Sequence, residues 1–239
     1  MNHETVEQLL ALNRRFYAAF ARPFADSRTL SDPALTSILP HIPQRARVLD
    51  VGCGNGRLAC LLDQQRPGAA YVGIDGVPEL VALARQATSQ LDAISTTFHV
   101  VDVTQPEWSV AAGGPFDCVV ILAVLHHIPS FDLRQQVVRE SARRLAPGGR
   151  VLLSTWQFLD SERQRRKIVE WAEVGISEAQ LEPGDYLLDW QREGRGLRYC
   201  HLVDGDEVAR LAAGSGLAVR ESFRAGGKEG NLSLFAVLA

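Results

Sequence analysis

No two cysteines of this chain lie at C-x-x-C spacing. The four present, Cys53, Cys60, Cys118 and Cys200, also fall outside any Cys/His cluster with zinc spacing. A zinc module and a disulfide scaffold are thereby excluded, and the thiols read as small buried hydrophobes of a cytoplasmic, reducing environment. Apolar runs are short. The longest, residues 118–125, has eight members, far below the ~20 that a membrane-spanning helix needs. The opening segment sets Glu4, Glu7, Arg14 and Arg15 among its apolar positions, so it reads as an amphipathic helix and not as a secretion signal. Positive charge is not in excess: 25 Lys and Arg stand against 28 Asp and Glu, a net charge of −3. Any contact with nucleic acid must therefore rest on local patches. Internal repeats, low-complexity tracts and a clear interdomain linker are also missing.

What is present is a chain of 239 residues, 46% apolar, enough for one large α/β domain over residues 1–239. After two N-terminal helices, strands and helices alternate. The expected strands are residues 46–51, 70–74, 96–101, 117–124 and 151–156, with helices over 57–65, 78–90 and 131–145 between them. This rhythm predicts a doubly wound, mostly parallel sheet. Beyond Trp156 it changes. Ser161 reads as an N-cap, and Ile168, Val169, Trp171, Ala172 and Val174 predict a helix ending at Gly175. Residues 177–201 read as irregular, and a helix over 206–213 precedes two strands, 217–223 and 231–238, joined by a glycine-rich link that suits a hairpin.

The strongest chemical signal is the run Asp50-Val51-Gly52-Cys53-Gly54-Asn55-Gly56, where the first strand breaks into a helix. Free backbone N–H groups collect at such a corner, and Gly52 and Gly54 let a ligand lie directly on the main chain. Dinucleotide sites space their glycines G-x-G-x-x-G to receive a pyrophosphate. Here the spacing is G-x-G-x-G, with Asp50 placed to repel a phosphate and to suit the ammonium group of an amino-acid moiety. Asp75 ends the second strand 23 residues beyond Gly52, where an acid can accept from both ribose hydroxyls. Gly76 leaves room for the sugar. Asp102 ends the third strand, placed for an adenine amine, with Val103 beside it. Each acid alone would also suit a solvated turn or a cap; three together line the edge where open α/β sheets bind ligands.

The fourth strand delivers Leu122 and then His126-His127 to the same edge. Either histidine suits a general base, a substrate-positioning group or a structural hydrogen-bonding role. No carboxylate or cysteine follows them at metal-ligand spacing, so no metal is expected. Arg163, Arg165, Arg166 and Lys167, with Arg139, Arg143 and Arg144 on an earlier helix, suit either a solvated face or phosphate contact.

Taken in order, residues 49–56, Asp75, Ala123-Val124-Leu125-His126-His127 and Leu145-Ala146-Pro147-Gly148-Gly149 resemble the class I S-adenosylmethionine-dependent methyltransferases over about residues 46–156. That resemblance implies a Rossmann-like, seven-stranded sheet with an antiparallel C-terminal hairpin strand. It also implies S-adenosyl-L-methionine as methyl donor, held by Tyr17, Arg28, Asp50, Gly52, Cys53, Gly54, Gly56, Asp75, Gly76, Asp102, Val103 and Leu122. The flanks are similar to the branch that esterifies carboxymethyl-uridine at the tRNA wobble position. The residues that carry this are Asn13 with Phe16-Tyr17, Phe24 with Ser27-Arg28, Asp185 to Trp190, Arg198-Tyr199-Cys200-His201 and Gly230-Asn231-Leu232. Ser27, Asp189 and Cys200 depart from that branch, all in substrate-facing segments.

In this reading residues 1–45 form a helical lid and residues 157–203 a substrate-facing insertion with Trp156, Trp190 and Tyr199 against the acceptor. A carboxylate acceptor needs a cation, for which Arg198 is the first candidate and Arg28 the second, unless Arg28 binds the cofactor carboxylate. A hydroxyl or amine acceptor needs His127 as base. Tyr17 and Tyr199 also suit plain packing. The acceptor classes are tRNA or a small molecule bearing a carboxylate, amine or hydroxyl, and a module that binds the cofactor without catalysis is the third reading. Relatives of the tRNA branch use a small activating protein, which this sequence does not test.

Overall fold

The computed structural model describes residues 1–28 and 32–239, so residues 29–31 of the expected N-terminal segment lie outside the described residues. Helix α1 (His3–Ala19) is capped by the Asn2 side chain, which accepts from Thr5 N–H, and α2 (Ala21–Asp26) follows it directly. Asp32 caps the short α3 (Pro33–Thr36), whose Pro33 sits where no N–H is needed. The alternating part is β1 (Arg47–Val51), α4 (Arg57–Gln65), β2 (Ala70–Asp75), α5 (Pro78–Ala87), β3 (Ser95–Val100), β4 (Phe116–Leu122), α6 (Phe131–Ala142) and β5 (Leu145–Trp156). Then come α7 (Glu162–Arg165), β6 (Ile168–Val169), β7 (Asp185–Trp190), β8 (Gly196–His201), α8 (Gly205–Ala213), β9 (Val219–Ala225) and β10 (Ser233–Leu238).

Seven strands form the main sheet in the order β3-β2-β1-β4-β5-β10-β9. β1 to β5 run parallel, and β10 is antiparallel to both neighbours, with Phe235 opposite Ser154 of β5 and Phe223 of β9. This is the expected seven-stranded α/β sheet. Strand alternation splits the core into two layers. Val48, Val120 and Leu152 pack with Leu58, Leu62 and Val81 of α4 and α5. Leu49, Val119 and Val151 pack with Val137, Val138 and Leu211 of α6 and α8. Order reverses at β1, between β2 and β4, so a crevice opens at the carboxyl ends of these strands.

Three expectations of secondary structure fail. The periodic residues 161–174 do not make a helix. α7 is four residues long, and Ile168 and Val169 pair antiparallel with Leu188 and Leu187. Nor is 177–201 irregular: β7 and β8 form a hairpin, Tyr186 opposite Cys200 and Leu188 opposite Arg198, around the polar turn 191–195. The result is a second sheet, β6-β7-β8. Leu187, Tyr199 and Trp171 bury one of its faces against Leu9 of α1. Residues 145–149 also belong to β5, and α6 stops at Ala142, short of the expected 145. Leu145 already pairs with Phe116, and Gly148, at φ +76, lies in the irregularity before Arg150 rejoins Cys118. Among the described residues no helix is long and apolar enough to cross a membrane.

Candidate active site

The glycine corner divides its work. Gly52 N–H and Cys53 N–H both donate to the Ile74 carbonyl, at 2.8 and 2.9 Å, pinning the turn to β2. Gly52 has φ +74, and a Cβ there would lie 2.3 Å from Val124 Cγ2. Gly54, at φ +55, faces open space: a Cβ would meet nothing within 4 Å. Gly56 caps α4 in the left-handed region and packs on Ala84, so its role is internal to the fold. Asp75 accepts from Gly54 N–H at 3.0 Å and from Val77 N–H at 2.9 Å, joining the tip of β2 to the corner. Burial pushes its carboxyl pKa up against those two hydrogen bonds.

Around this corner lies a cavity that reaches under α1. Tyr17, Arg28, Gly52, Cys53, Gly54, Asp75, Gly76, Asp102, Val103, Leu122 and His127 all line it, as eleven of the expected site residues. Asp102 has one oxygen engaged by Thr104 N–H and Oγ1, at 2.9 and 2.6 Å, and the other 3.5 Å from Arg14. Arg14, in the sequence only a charge of the first helix, also lines the cavity; it adjoins Asn13 and precedes Tyr17 by less than a turn of α1.

Asp50 does not reach this cavity. On β1 it shares a face with Val48, so it points into the α4–α5 layer, where it accepts from Tyr71 Oη–H at 2.6 Å. Burial pushes its pKa up to about 7. It braces the corner from behind. Gly56 likewise stands outside the cavity, for the packing reason given above.

Tyr17 Oη lies 2.6 Å from His127 Nε2, and His127 Nδ1 lies 3.2 Å from the Tyr199 carbonyl. A carbonyl only accepts, so Nδ1 carries the proton and Nε2 accepts from Tyr17. Burial, reinforced by Arg198, lowers the His127 pKa to about 3 and keeps the ring neutral. His126 is buried too, and its Nδ1 accepts from Trp156 N–H at 3.3 Å. Asn13 fastens α1 to this region. Its Oδ1 accepts from Tyr199 N–H at 2.9 Å, and its Nδ2 lies 3.1 Å from the carbonyls of both Tyr199 and His127.

A second cavity adjoins the first, sharing Arg28, Ala123 and His127 with it. Arg198, Trp156 and Trp190 line it, with Arg163, Lys167 and Arg192 toward solvent. The Arg198 guanidinium is boxed by rings: its central carbon lies 5.1 Å from the Trp156 centroid and 5.4 Å from those of Phe16 and Trp190. The residue is 6% exposed, and among the described residues it has no acidic partner and its Nε has no acceptor. Arg28 stands over Phe24 at 4.8 Å, and burial with the nearby Arg57 lowers its pKa to about 10.

Tyr199 lines neither cavity. It follows Arg198 on β8 and so faces the opposite side, fully buried, its hydroxyl donating to Asp185 at 2.8 Å. Of the other basic residues, Arg143 pairs with Glu140 and Arg166 with Glu162, while Arg144 donates to Ser109 Oγ at 2.9 Å.

Residues 19–222 match a protein family described as a methyltransferase domain. A methyltransferase-named protein of Encephalitozoon cuniculi is 32% identical over 229 residues, covering 94% of this chain and 93% of that one. A tRNA (carboxymethyluridine(34)-5-O)-methyltransferase of Arabidopsis thaliana is 28% identical over 142 residues, and the chain covers only 32% of its length. In fold, the chain resembles a Synechocystis magnesium protoporphyrin IX methyltransferase crystallised with S-adenosylhomocysteine, with a TM-score of 0.66 at 19% identity over 96% of this chain and 98% of the other. Given a family match that takes in the glycine corner, Arg198 and the second sheet, the chain belongs to the methyltransferase domain family and is an S-adenosylmethionine-dependent methyltransferase.

Proposed function

We propose that this enzyme esterifies a carboxylate, and that the carboxylate is the carboxymethyl group of the wobble uridine in tRNA. The observation that carries the reading is Arg198: a guanidinium buried among three rings, with no acid beside it, in the cavity next to the glycine corner. A planar fork of donors so placed fits a two-oxygen acceptor. The rim residues Arg163, Lys167 and Arg192 suit a substrate that carries further negative charge. Similarity to the Arabidopsis tRNA enzyme supports the finer assignment.

The first cavity suits the methyl donor. Gly54 leaves its main chain bare, and Asp75, Gly76, Asp102 and Val103 would hold the nucleoside, with Arg28 available to the amino-acid carboxylate. S-adenosylmethionine, when bound, would supply a sulfonium methyl: an oxygen–carbon bond to the acceptor forms as the carbon–sulfur bond breaks, and the neutral thioether leaves. The protein's part is to position and to exclude water. Arg198 orients the carboxylate, which is a nucleophile already and needs no base. His127 keeps its Nε2 lone pair occupied by Tyr17 and holds the Tyr17 ring in place. We read residues 1–239 as one domain, with 1–45 as its lid and 157–203 as its substrate-facing insertion.

The test is incubation with methyl-labelled donor and, separately, bulk tRNA lacking the ester or a panel of small carboxylic acids. Label entering tRNA and leaving as methanol in mild alkali is the expected result, because methyl esters hydrolyse there and ethers and methylamines do not. Transfer to tRNA should also fall steeply with salt. Alkali-stable label would overturn the carboxylate reading, and transfer to small acids alone would overturn tRNA. Replacement of Asp75 by alanine should weaken binding of S-adenosylhomocysteine by about 1–3 kcal/mol. It removes the ribose acceptor and orphans Gly54 N–H. Unchanged affinity by calorimetry would refute the role of Asp75.

A further inference from the structure

Behind β8, on the face away from Arg198, five ionisable side chains from four parts of the chain meet. His201 (β8) lies with Nδ1 2.7 Å from Asp185 Oδ1 of β7 and Nε2 3.0 Å from Glu207 Oε2 of α8. Arg134 of α6 reaches Glu207 Oε1 with Nε at 2.5 Å and Glu182 Oε2 with Nη2 at 2.9 Å. That same Nη2 lies 3.1 Å from His201 Nε2. Asp185 completes its shell with the Tyr199 hydroxyl at 2.8 Å and Glu182 N–H at 2.9 Å. Glu182, Asp185 and His201 have ligand atoms within 4.8 Å of one another. Arg134 already occupies the position of a cation there, and the ligand lone pairs are spent on it, on Tyr199 and on the Glu182 amide.

We propose that His201 is a positioning residue for methyl transfer: as an imidazolium it donates to Asp185 and Glu207 together and so fixes β8, the strand that presents Arg198 to the acceptor cavity and the Tyr199 carbonyl to His127.

The geometry offers His201 two states. Protonated, it bridges two carboxylates. Neutral, with its proton on Nδ1, its Nε2 can only accept, and the donor within reach is Arg134 Nη2. Glu207 Oε2 then loses its partner. The two states pull the ring toward α8 or toward α6, and β8 follows. Among the described residues, the charged and titratable groups around the ring are Asp185, Glu182, Glu207 and Arg134, with the Tyr199 hydroxyl and, within electrostatic reach, His126, which burial keeps neutral. Burial alone would lower the His201 pKa, but the hydrogen bonds to Asp185 and Glu207 raise it above the ordinary histidine value. The bridge is therefore complete below the ordinary value and is lost as pH rises through the raised one. From His201 the path to the site is short. Tyr199, two residues before it, donates to Asp185 through its hydroxyl, while its carbonyl accepts from His127 Nδ1 and Asn13 Nδ2.

The structural half of the test needs no acceptor substrate. The full chain, labelled with 15N in its histidine rings, is titrated from pH 5 to 10 and read by NMR, with signals assigned through single His→Gln variants. His201 should lose its second ring proton above the ordinary histidine range. The His127 signals should move at the same midpoint, although His127 itself does not gain a proton anywhere in that range. Glu207→Gln should carry both midpoints to lower pH together, and Glu182→Gln, which touches neither His201 hydrogen bond, should do so by less. A His127 spectrum that stays flat through the His201 step, or a Glu207→Gln midpoint that moves for His201 alone, would overturn the coupling. The catalytic half rests on the role given to Arg198: an alkaline loss of transfer at the His201 midpoint supports it, and activity flat across that midpoint overturns the positioning while leaving the methyltransferase assignment intact.

Discussion

Arg198→Met should abolish most methyl transfer while leaving the protein as stable as before, or more so. The two halves of this result come from one fact, the burial of a guanidinium with no counterion among the described residues. Arginine keeps its charge in proteins. Burying it costs several kcal/mol, which stacking on Phe16, Trp156 and Trp190 offsets in part, at roughly 0.5–2 kcal/mol for each ring. A methionine of similar length keeps the contacts and removes the charge, so Tm should hold or rise by a few degrees. The acceptor, however, loses its anchor. A charge-assisted, desolvated pair is worth roughly 3–4 kcal/mol, so kcat/KM should fall about 10²–10³-fold, with affinity for S-adenosylhomocysteine unchanged. Arg198→Lys should fall between, because a point charge replaces the planar fork. Retained turnover in Arg198→Met would remove the carboxylate reading. A large drop in Tm would mean that the aromatic box is a structural device.

Gly52→Ala should damage the cofactor corner more than any exposed substitution. Two costs combine there. The left-handed backbone at φ +74 penalises a Cβ by roughly 1–2 kcal/mol, and the added carbon would sit 2.3 Å from Val124 Cγ2. Overpacking of that kind costs about 1–3 kcal/mol when neighbours must shift. Chemical denaturation should show the sum, and S-adenosylhomocysteine binding should weaken further, since Val124 lines the same cavity. The two costs separate in a double variant. Val124→Ala in the Gly52→Ala background should restore the overpacking share and leave the backbone share. Full rescue would mean that the backbone accommodates alanine freely. No destabilisation of Gly52→Ala would refute the packing account altogether.

The corner was legible because its logic is local. A buried strand, three closely spaced glycines and an acid at the next strand tip each follow from conformational freedom and alternation, without knowledge of distant partners. The second sheet was not. Ile168, Val169, Trp171 and Val174 fit helical spacing as well as a strand followed by a 3₁₀ turn, and the choice is made by Leu187 and Leu188, some twenty residues on. The hairpin itself did leave a trace: Tyr186-Leu187-Leu188 and Leu197-Arg198-Tyr199 flank the turn residues Glu193 and Gly194, both of which take positive φ. Asp50 and Tyr199 share a different fault. Each lies near site residues in sequence, but a strand sends adjacent side chains to opposite faces. Asp50 shares a face with Val48 and packs into the α4–α5 layer, and Tyr199 opposes the cavity-lining Arg198, so neither meets a cavity.

Asn13 gives α1 an unexpected kinship with a strand. Its carboxamide accepts from the N–H and donates to the C=O of Tyr199, as a peptide group of a neighbouring strand would. β8 is the border of the small sheet, and at Tyr199 that border is covered by one side chain of a helix. Any swing of α1 that admits ligand therefore strips a strand of its surrogate neighbour. It would uncover a pairing surface of the kind proteins shield against self-association, so the contact of Asn13 with β8 guards a strand border as well as fastening a helix.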